Sequence, residues 1–164
     1  MKKDKFCLQE CAMTDYGKML REIRVLTEDC PYKLANISNA IAVIFNTLPD
    51  INWAGIYFAK DNALTLGPFQ GKPACTYIPF SRGVCGKAAR EMTPIVVADV
   101  HSFPDHIACD GASRSEIVLP LVLDGVLLGV LDIDSPRVGR FSVLDREGLL
   151  PIAELIAQCL SSSE

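Results

Sequence analysis

The sequence predicts a single α+β domain: a central antiparallel sheet of about six strands, with the N- and C-terminal helices on one face and ligand-covering loops on the other. Three observations support this prediction: helical patterns near both ends, short apolar strands between them, and a length of 164 residues, which suits one domain. We expect residues 1–164 to form that domain, with residues 1–13 as an N-terminal extension.

The helices are predicted by apolar residues at helical spacing, over residues 14–28, over residues 31–48 and in a closing segment near the C-terminus. Ser142 and Asp145 stand three positions apart at the start of the closing segment, in a capping-box pattern. Pro151 lies inside the same segment, so we expect it to kink the helix or to end a first short piece of it.

The strands are predicted by short apolar runs between turn residues. The clearest pair is "EIVLPLVLDGVLLGVLDID", because Asp124-Gly125 at its centre is a strong hairpin signal. The predicted layer order places the irregular segments with Cys75, Cys85 and Cys109 on the sheet face opposite the terminal helices. The other predicted elements, in chain order, are the hairpin strands "NWAGIYFA" and "ALTLG", an extended piece over residues 74–79, a short helix in "VCGKAAREM" and the strand "PIVVAD".

Charge and hydropathy argue against two classes of partner. The net charge is −4, from 16 basic and 20 acidic residues, and no run of Lys or Arg exceeds two, so we expect neither nucleic acid nor an anionic membrane as a partner. The longest apolar run is interrupted by Pro120, Asp124 and Gly125, and the N-terminus lacks the apolar core of a signal peptide. The expected compartment is therefore the cytoplasm.

The cysteines number seven, which is many for a reducing compartment, and an odd count argues against a purely structural set of disulfides. One interpretation treats them as small buried apolar groups, which is favoured for Cys30 and Cys159. An inert role is expected for Cys7 and Cys11 near the N-terminus. A second interpretation is a zinc site, but the spacings match no common zinc module, so no metal is expected. Its potential ligands would be Cys75, Cys85, His101, His106 and Cys109.

A third interpretation of the cysteines is redox chemistry, in which one thiolate attacks and a second thiol reacts with the product. Residues 99–115 form a long connection without a periodic pattern, which is typical of functional loops, and they contain Cys109. Cys75 and Cys85 belong to neighbouring segments on the same predicted face. The residues alone do not say which cysteine attacks.

Three acids stand in otherwise apolar strands, namely Glu116, Asp132 and Asp134. Asp132 and Asp134 are two positions apart on one strand, so their side chains share a face. With Asp124-Gly125 as the turn, Glu116 falls opposite position 133, give or take one, which places it beside both aspartates. Carboxylates this close repel one another, so the cluster requires a cation, a metal or shared protons.

In these segments the sequence resembles the free methionine-(R)-sulfoxide reductases, a family with the GAF fold. The resemblance covers about residues 15–160 and includes "NWAGIYF", "GPFQGKPAC", "GVCGKAA", "VADVHSFPDHIACDGASRSEIVLPL" and "GVLDIDSP". The cysteine-containing segments are specific to the reductases among GAF domains. The resemblance implies reduction of free L-methionine (R)-S-oxide to L-methionine, through a cysteine sulfenic acid and an intramolecular disulfide that thioredoxin recycles.

The resemblance also implies a role for each matching residue. Cys109 would attack the sulfoxide sulfur, Cys75 would resolve the product by forming a disulfide with Cys109, and Cys85 would be an accessory or alternative resolving cysteine. The substrate would be held, and its S–O group polarised, by Glu116, Asp132 and Asp134, beside an aromatic wall of Trp53 and Tyr57.

The resemblance implies no metal or organic cofactor, since an external dithiol such as thioredoxin supplies the electrons. The backbone amides of "SRGVCG" are candidates to bind the substrate carboxylate, because glycine permits close approach, and Arg82 is a further candidate. A homodimer is expected by analogy with GAF domains. Two alternatives remain: a non-catalytic GAF sensor, which needs no cysteine pair, and a thiol redox switch, which needs no acid cluster.

Overall fold

The computed structural model describes residues 14–105, 107 and 109–161. In that part of the chain, a six-stranded sheet is combined with four α-helices, and the predicted α+β class is confirmed. The helices are α1 (Tyr16–Thr27), α2 (Lys33–Thr47), α3 (Gly83–Glu91) and α4 (Val143–Ser161). The strands are β1 (Trp53–Lys60), β2 (Ala63–Gln70), β3 (Tyr77–Pro79), β4 (Ile95–Val97), β5 (Ser115–Leu123) and β6 (Val126–Ser135).

The sheet has the strand order β3-β2-β1-β6-β5-β4, and every neighbouring pair is antiparallel. Asp124 and Gly125 both have positive φ, 49° and 77°, and they form the predicted two-residue turn between β5 and β6. Asp61 and Asn62 repeat this geometry between β1 and β2. The strands β1, β6 and β5 are therefore adjacent at the centre, where the residues of the candidate site lie.

The two faces of the sheet bury different layers. Helices α2 and α4 pack on one face, with α1 lying mainly across those two helices, and this layer buries Ile56, Ile117 and Leu131 completely. The other face is covered by α3 and by the segments before β3 and β5. Because successive side chains of a strand point to opposite faces, every second side chain of a central strand faces α2 and α4, and the others face α3.

Helix α4 begins with the predicted capping box. The Ser142 backbone N–H donates to Asp145 Oδ2 at 2.7 Å, and the Asp145 backbone N–H donates to Ser142 Oγ at 3.3 Å. The expectation that Pro151 ends a first short piece of this helix is wrong, because α4 runs without interruption from Val143 to Ser161. Proline has no backbone N–H, so one helix carbonyl lacks its partner; because Pro151 is exposed, that carbonyl lies on the solvent side. Leu149 and Ile152 stay buried and hold the helix on the sheet.

None of the helices in the described ranges is both long enough and apolar enough to cross a membrane. The predicted N-terminal extension, residues 1–13 with Cys7 and Cys11, lies outside the described residues.

Candidate active site

The face of the sheet covered by α3 carries the cysteines that the sequence singles out. Cys75 lies just before β3, and Cys109 lies in the connection between β4 and β5. The two are joined by a disulfide, with 5.4 Å between their Cα atoms and 34 positions between them in sequence. This is the pairing that the family resemblance implies. Cys85, near the start of α3, is free and buried.

The three acids form one cluster on the same face. Glu116 pairs with Asp134 across β5 and β6, which confirms the register predicted from the hairpin turn. Asp132 lies two positions before Asp134 and opposite Gly55 on β1. Glu116 and Asp132 are only 5% and 6% exposed, so both carboxyl groups are nearly cut off from bulk water. The cluster therefore belongs to the interior of the molecule and not to a solvated strand end.

The cysteines and the acids meet at a small cavity of about 30 Å³. That volume is roughly the share of one water molecule in the liquid. The residues lining the cavity include no Lys, Arg or His among those that the structure describes. They are Ile78, Gly83, Val84, Cys85, Ile107, Cys109, Asp110, Ser113, Glu116, Asp132 and Asp134.

Burial, and repulsion between neighbouring carboxylates, raise the pKa values of the acids. Burial raises the pKa of Glu116 well above its ordinary value, and the nearby Asp132 and Asp134 raise it further. Burial likewise raises the pKa of Asp132 to about 6. The pKa of Asp134 is also raised by burial and then by the charges of Asp132 and Asp110, against a hydrogen bond from Ser113. All three carboxyl groups consequently bind protons more tightly than carboxylates in water do.

Cys85 belongs to this cluster more than to the disulfide. Its Sγ donates to Glu116 Oε1 at 3.7 Å, and burial raises the pKa of the thiol further above its ordinary range, with a contribution from Asp132 and Glu116. A thiol of this kind stays protonated and is a hydrogen-bond donor, not an attacking thiolate. The sulfur of Cys85 and oxygens of Glu116 and Asp132 lie within 4.8 Å of one another, a distance at which they could hold a metal ion.

Of the residues considered for a zinc site from the sequence, Cys85 and Cys109 line the cavity. Cys75 and Cys109 are bonded to each other, so neither offers a thiolate ligand in this state. His101 is exposed and does not line the cavity, and His106 lies outside the described residues.

The aromatic residues predicted for a substrate wall lie behind the cavity and do not line it. Trp53 and Tyr57 are buried at 2% and 1% exposure, with ring centroids 5.9 Å apart, and Trp53 also stacks on Phe69 at 5.5 Å. Burial, together with Asp132, strongly raises the pKa of Tyr57, which places its hydroxyl in the field of the acids. A Cβ on Gly55 would come within 2.4 Å of the Trp53 ring, so only glycine there leaves room for the indole.

Helix α3 points its N-terminus at the cavity through Gly83, Val84 and Cys85. Gly83 has φ of +70°, and its N–H already donates to the carbonyl of Asp105 at 3.1 Å. A Cβ on Gly86 would lie 2.7 Å from the carbonyl oxygen of Pro79, so this glycine allows α3 to pack closely on the end of β3. Arg82 is exposed and does not line the cavity.

Two polar residues of the site are missed by sequence reasoning. Ser113 is buried and lines the cavity, where it hydrogen-bonds Asp134. Asn52, just before β1, donates from Nδ2 to Asp110 Oδ2 and to Ser113 Oγ, both at 3.1 Å. Short polar residues beside strands are common, so neither residue stands out in the sequence. The quoted motif "NWAGIYF" begins at Asn52, and that is the one signal that could have drawn attention to it.

Comparison with known proteins defines the class first. The model of the GAF domain family matches residues 33–160. The chain is therefore a GAF domain. Its six antiparallel strands carry helices on one face and a small cavity on the other.

The comparison with individual proteins is more specific. The chain is 45% identical to the free methionine-R-sulfoxide reductase of Escherichia coli over 149 residues, which cover 91% of this chain and 90% of that one. It is 47% identical to the enzyme of the same name from Saccharomyces cerevisiae, over 75% of this chain and 73% of that one. The crystal structure of free methionine-R-sulfoxide reductase from Neisseria meningitidis in complex with its substrate superimposes with a TM-score of 0.86 at 41% identity, covering 90% of this chain and 89% of that chain. The chain belongs to the free methionine-R-sulfoxide reductase family.

Proposed function

We propose that this protein reduces free L-methionine (R)-S-oxide to L-methionine by thiol chemistry at the Cys109 cavity. The observation that carries the proposal is one place where a cysteine pair able to form a disulfide meets a buried acid cluster with raised pKa values. A sulfoxide reductase needs both parts, since a thiolate must attack the sulfur and the oxygen must be protonated to leave.

The first step is attack of the Cys109 thiolate on the sulfoxide sulfur. The S–O oxygen takes up protons from the carboxyl groups of Glu116 and Asp134, whose raised pKa values let them act as acids at neutral pH. The oxygen then leaves as water, and Cys109 Sγ is bonded to the substrate sulfur in a sulfonium. A water molecule attacks Cys109 Sγ, methionine leaves as the thioether, one proton returns to the acids, and Cys109 is left oxidised as the sulfenic acid. The two electrons that reduce the substrate come from the sulfur of Cys109.

The second step is condensation of the Cys109 sulfenic acid with the Cys75 thiol, which releases water and gives the disulfide. The separation of 5.4 Å between the two Cα atoms lies in the ordinary range for a disulfide, so the backbone accommodates this product. An external dithiol, which we propose to be thioredoxin, then reduces the disulfide by exchange and restores both thiols. No metal or organic cofactor takes part in this scheme.

We assign substrate binding to carboxyl groups of the same acid cluster. The free amino acid carries an ammonium group, and the carboxyl groups of Asp132 and Asp134 offer it acceptors that no described basic side chain of the cavity competes for. The substrate carboxylate is assigned to the N-terminus of α3, where backbone N–H groups and the helix dipole favour an anion. With the disulfide formed the cavity holds only about 30 Å³, below the roughly 300 Å³ of ordinary ligand pockets.

The other expectations from the sequence stay predictions. Trp53 and Tyr57 are assigned to the support of the substrate's methyl and thioether end, from behind the cavity. A homodimer and a cytoplasmic location rest on the resemblance and on composition. A role for Cys85 as an accessory resolving cysteine is less well supported than a role as a hydrogen-bond donor to Glu116, because its thiol is buried and its pKa is raised.

The proposal is tested by supplying thioredoxin, its reductase and NADPH and following NADPH oxidation with three substrates. We expect consumption with free L-methionine (R)-S-oxide, and none above background with the free (S)-sulfoxide or with a peptide-bound sulfoxide. Binding of the free (R)-sulfoxide without turnover would favour the non-catalytic sensor. Turnover of a peptide-bound sulfoxide would contradict the assignment of the substrate's ammonium and carboxylate groups to this cavity.

Replacement of the resolving thiol separates the two cysteine roles. In Cys75→Ser we expect about one equivalent of methionine per protein, followed by a stall, because the sulfenic acid on Cys109 has no Cys75 thiol to condense with. The measurement is rapid-quench quantification of methionine, with labelling of Cys109 by a 1,3-dione that alkylates sulfenic acids. Cys30→Ser, outside the cavity, serves as the matched control and should turn over normally. Normal multiple turnover by Cys75→Ser would assign the resolving role to another thiol.

A further inference from the structure

We infer that Asn52 is a positioning residue. It holds the Cys109 turn, residues 109–113, against the acid cluster and aligns this turn with the segment that carries Cys75. This inference deepens the proposed function and rests on it. Its first support is the pair of hydrogen bonds from Asn52 Nδ2, to Asp110 Oδ2 and to Ser113 Oγ, both at 3.1 Å. These acceptors follow Cys109 by one and four positions, so one amide group holds both sides of the turn next to that cysteine.

The turn that Asn52 holds is ordered by further short-range contacts. Asp110 Oδ1 accepts the backbone N–H of Ala112 at 2.9 Å, and the Ser113 N–H donates to the Asp110 carbonyl at 3.2 Å. Ser113 in turn hydrogen-bonds Asp134, and the backbone N–H of Asn52 donates to the Asp134 carbonyl at 3.0 Å. Asn52 therefore links the Cys109 turn to Asp134 through both its side chain and its main chain.

The neighbouring residue, Trp53, holds the other cysteine segment. Its Nε1 donates to the carbonyl of Lys72 at 3.1 Å, three positions before Cys75. Gly71 is packed so closely that a Cβ there would lie 2.7 Å from the Asn52 carbonyl oxygen. Asn52, just before β1, and Trp53, its first residue, thus hold the two segments that the disulfide joins. Lys72 Nζ adds a contact of 3.6 Å to Asp110 Oδ1.

The chemistry at position 52 requires a donor. Asp110 is an anion whose pKa is lowered, mainly by the Ala112 N–H and also by Asn52, so a side chain facing it must carry N–H. An aspartate has the shape of asparagine but offers only acceptors, and it would place a second carboxylate 3.1 Å from the first. The Asn52 Oδ1 is buried without a hydrogen-bond partner in the described structure, so this side chain acts through the hydrogen bonds of its amide nitrogen.

The experiment compares Asn52→Asp with the reciprocal double variant Asn52→Asp/Asp110→Asn, in which the amide introduced at position 110 donates to the carboxylate introduced at position 52. Asn46→Asp, on the exposed side of α2, is the matched control. In the full-length protein we expect the single-turnover rate of methionine release to fall about 10- to 100-fold in Asn52→Asp, with KM changed less than about threefold. The double variant should recover at least about tenfold of that loss, and the control should match the parent.

A second readout needs no sulfoxide. In glutathione buffers of stepped composition, we expect the Cys75–Cys109 disulfide of Asn52→Asp to be reduced about tenfold more easily than that of the parent, since the two segments are no longer held in register. If the parent releases no methionine but this shift appears, the proposed function fails and the positioning role stands. If Asn52→Asp does not fold, Asn52→Ala, which removes the donor without adding a charge, replaces it with the same expected losses.

The inference is overturned by a rate within about twofold of the parent in the folded variant, or by a double variant no faster than the single one. It is also overturned if the melting temperature falls while both the rate and the disulfide equilibrium stay at parental values. That pattern would assign Asn52 to stability alone.

Discussion

Cys109→Ser is expected to abolish methionine release, including the first turnover, with a loss of more than about a thousandfold in rate. The serine hydroxyl is not ionised at neutral pH and is a far weaker nucleophile toward sulfur than a thiolate, so no sulfenic acid forms. The measurement is rapid-quench quantification of methionine after mixing the reduced variant with an excess of free (R)-sulfoxide. Cys75→Ser differs qualitatively, because it should still release about one equivalent.

The control for this experiment is Cys30→Ser, since Cys30 is also free to react but lies in the connection between α1 and α2, away from the cavity. Circular dichroism and the melting temperature of the reduced proteins check that one sulfur-to-oxygen exchange leaves the fold intact. A Cys109→Ser protein that releases a full equivalent of methionine at a comparable rate would show that another thiol attacks.

Asp132→Asn is expected to lower activity by about 100-fold while raising stability at neutral pH. The activity falls because the cavity loses one of the carboxyl groups assigned to the substrate's ammonium and to proton sharing. Stability rises because Asp132 is 6% exposed, and one of its oxygens, Oδ1, has no hydrogen-bond partner among the described residues. A neutral amide of the same shape avoids the cost of burying that charge.

The pH dependence follows from the direction of the pKa change. Burial raises the pKa of Asp132 from 3.8 to about 6, so the folded protein binds this proton more tightly than the unfolded chain does. The parent should therefore lose stability as pH rises from about 4 to about 6, by up to about 3 kcal/mol from this group, and no further above that window. The gain of Asp132→Asn over the parent should be near zero at pH 4 and complete by pH 7.

Urea denaturation of the reduced proteins at pH 4, 5, 6 and 7 measures this gain. Asp124→Asn, in the exposed turn at the opposite end of the same hairpin, is the matched control and should show no growing difference. A stability of Asp132→Asn below that of the parent at pH 7 would mean that the charge of Asp132 stabilises the folded protein, which would contradict the raised pKa of this carboxyl group.

Much of the site could be predicted because its geometry is local. The turn at Asp124-Gly125 sets the register of β5 and β6, and the two-residue repeat of a strand then brings Glu116 beside Asp132 and Asp134. The same alternation predicts that all three face away from the terminal helices. Pro151 shows the limit of a local rule, since the packing of α4 on the sheet keeps the helix continuous where propensity alone predicts a break.

The sequence by itself determined the fold class, the hairpin that carries the acids and, through motif resemblance, the pairing of Cys75 with Cys109, because each depends on short patterns or on motifs written in the chain. Only the tertiary structure decided what depends on long-range approach. It placed Cys85 against Glu116 instead of the disulfide, put Trp53 and Tyr57 behind the cavity, and brought Asn52 to the Cys109 turn 58 positions away. The pKa direction of the acids was decided there too, since burial and the approach of Asp132 and Asp134 raise the pKa of Glu116.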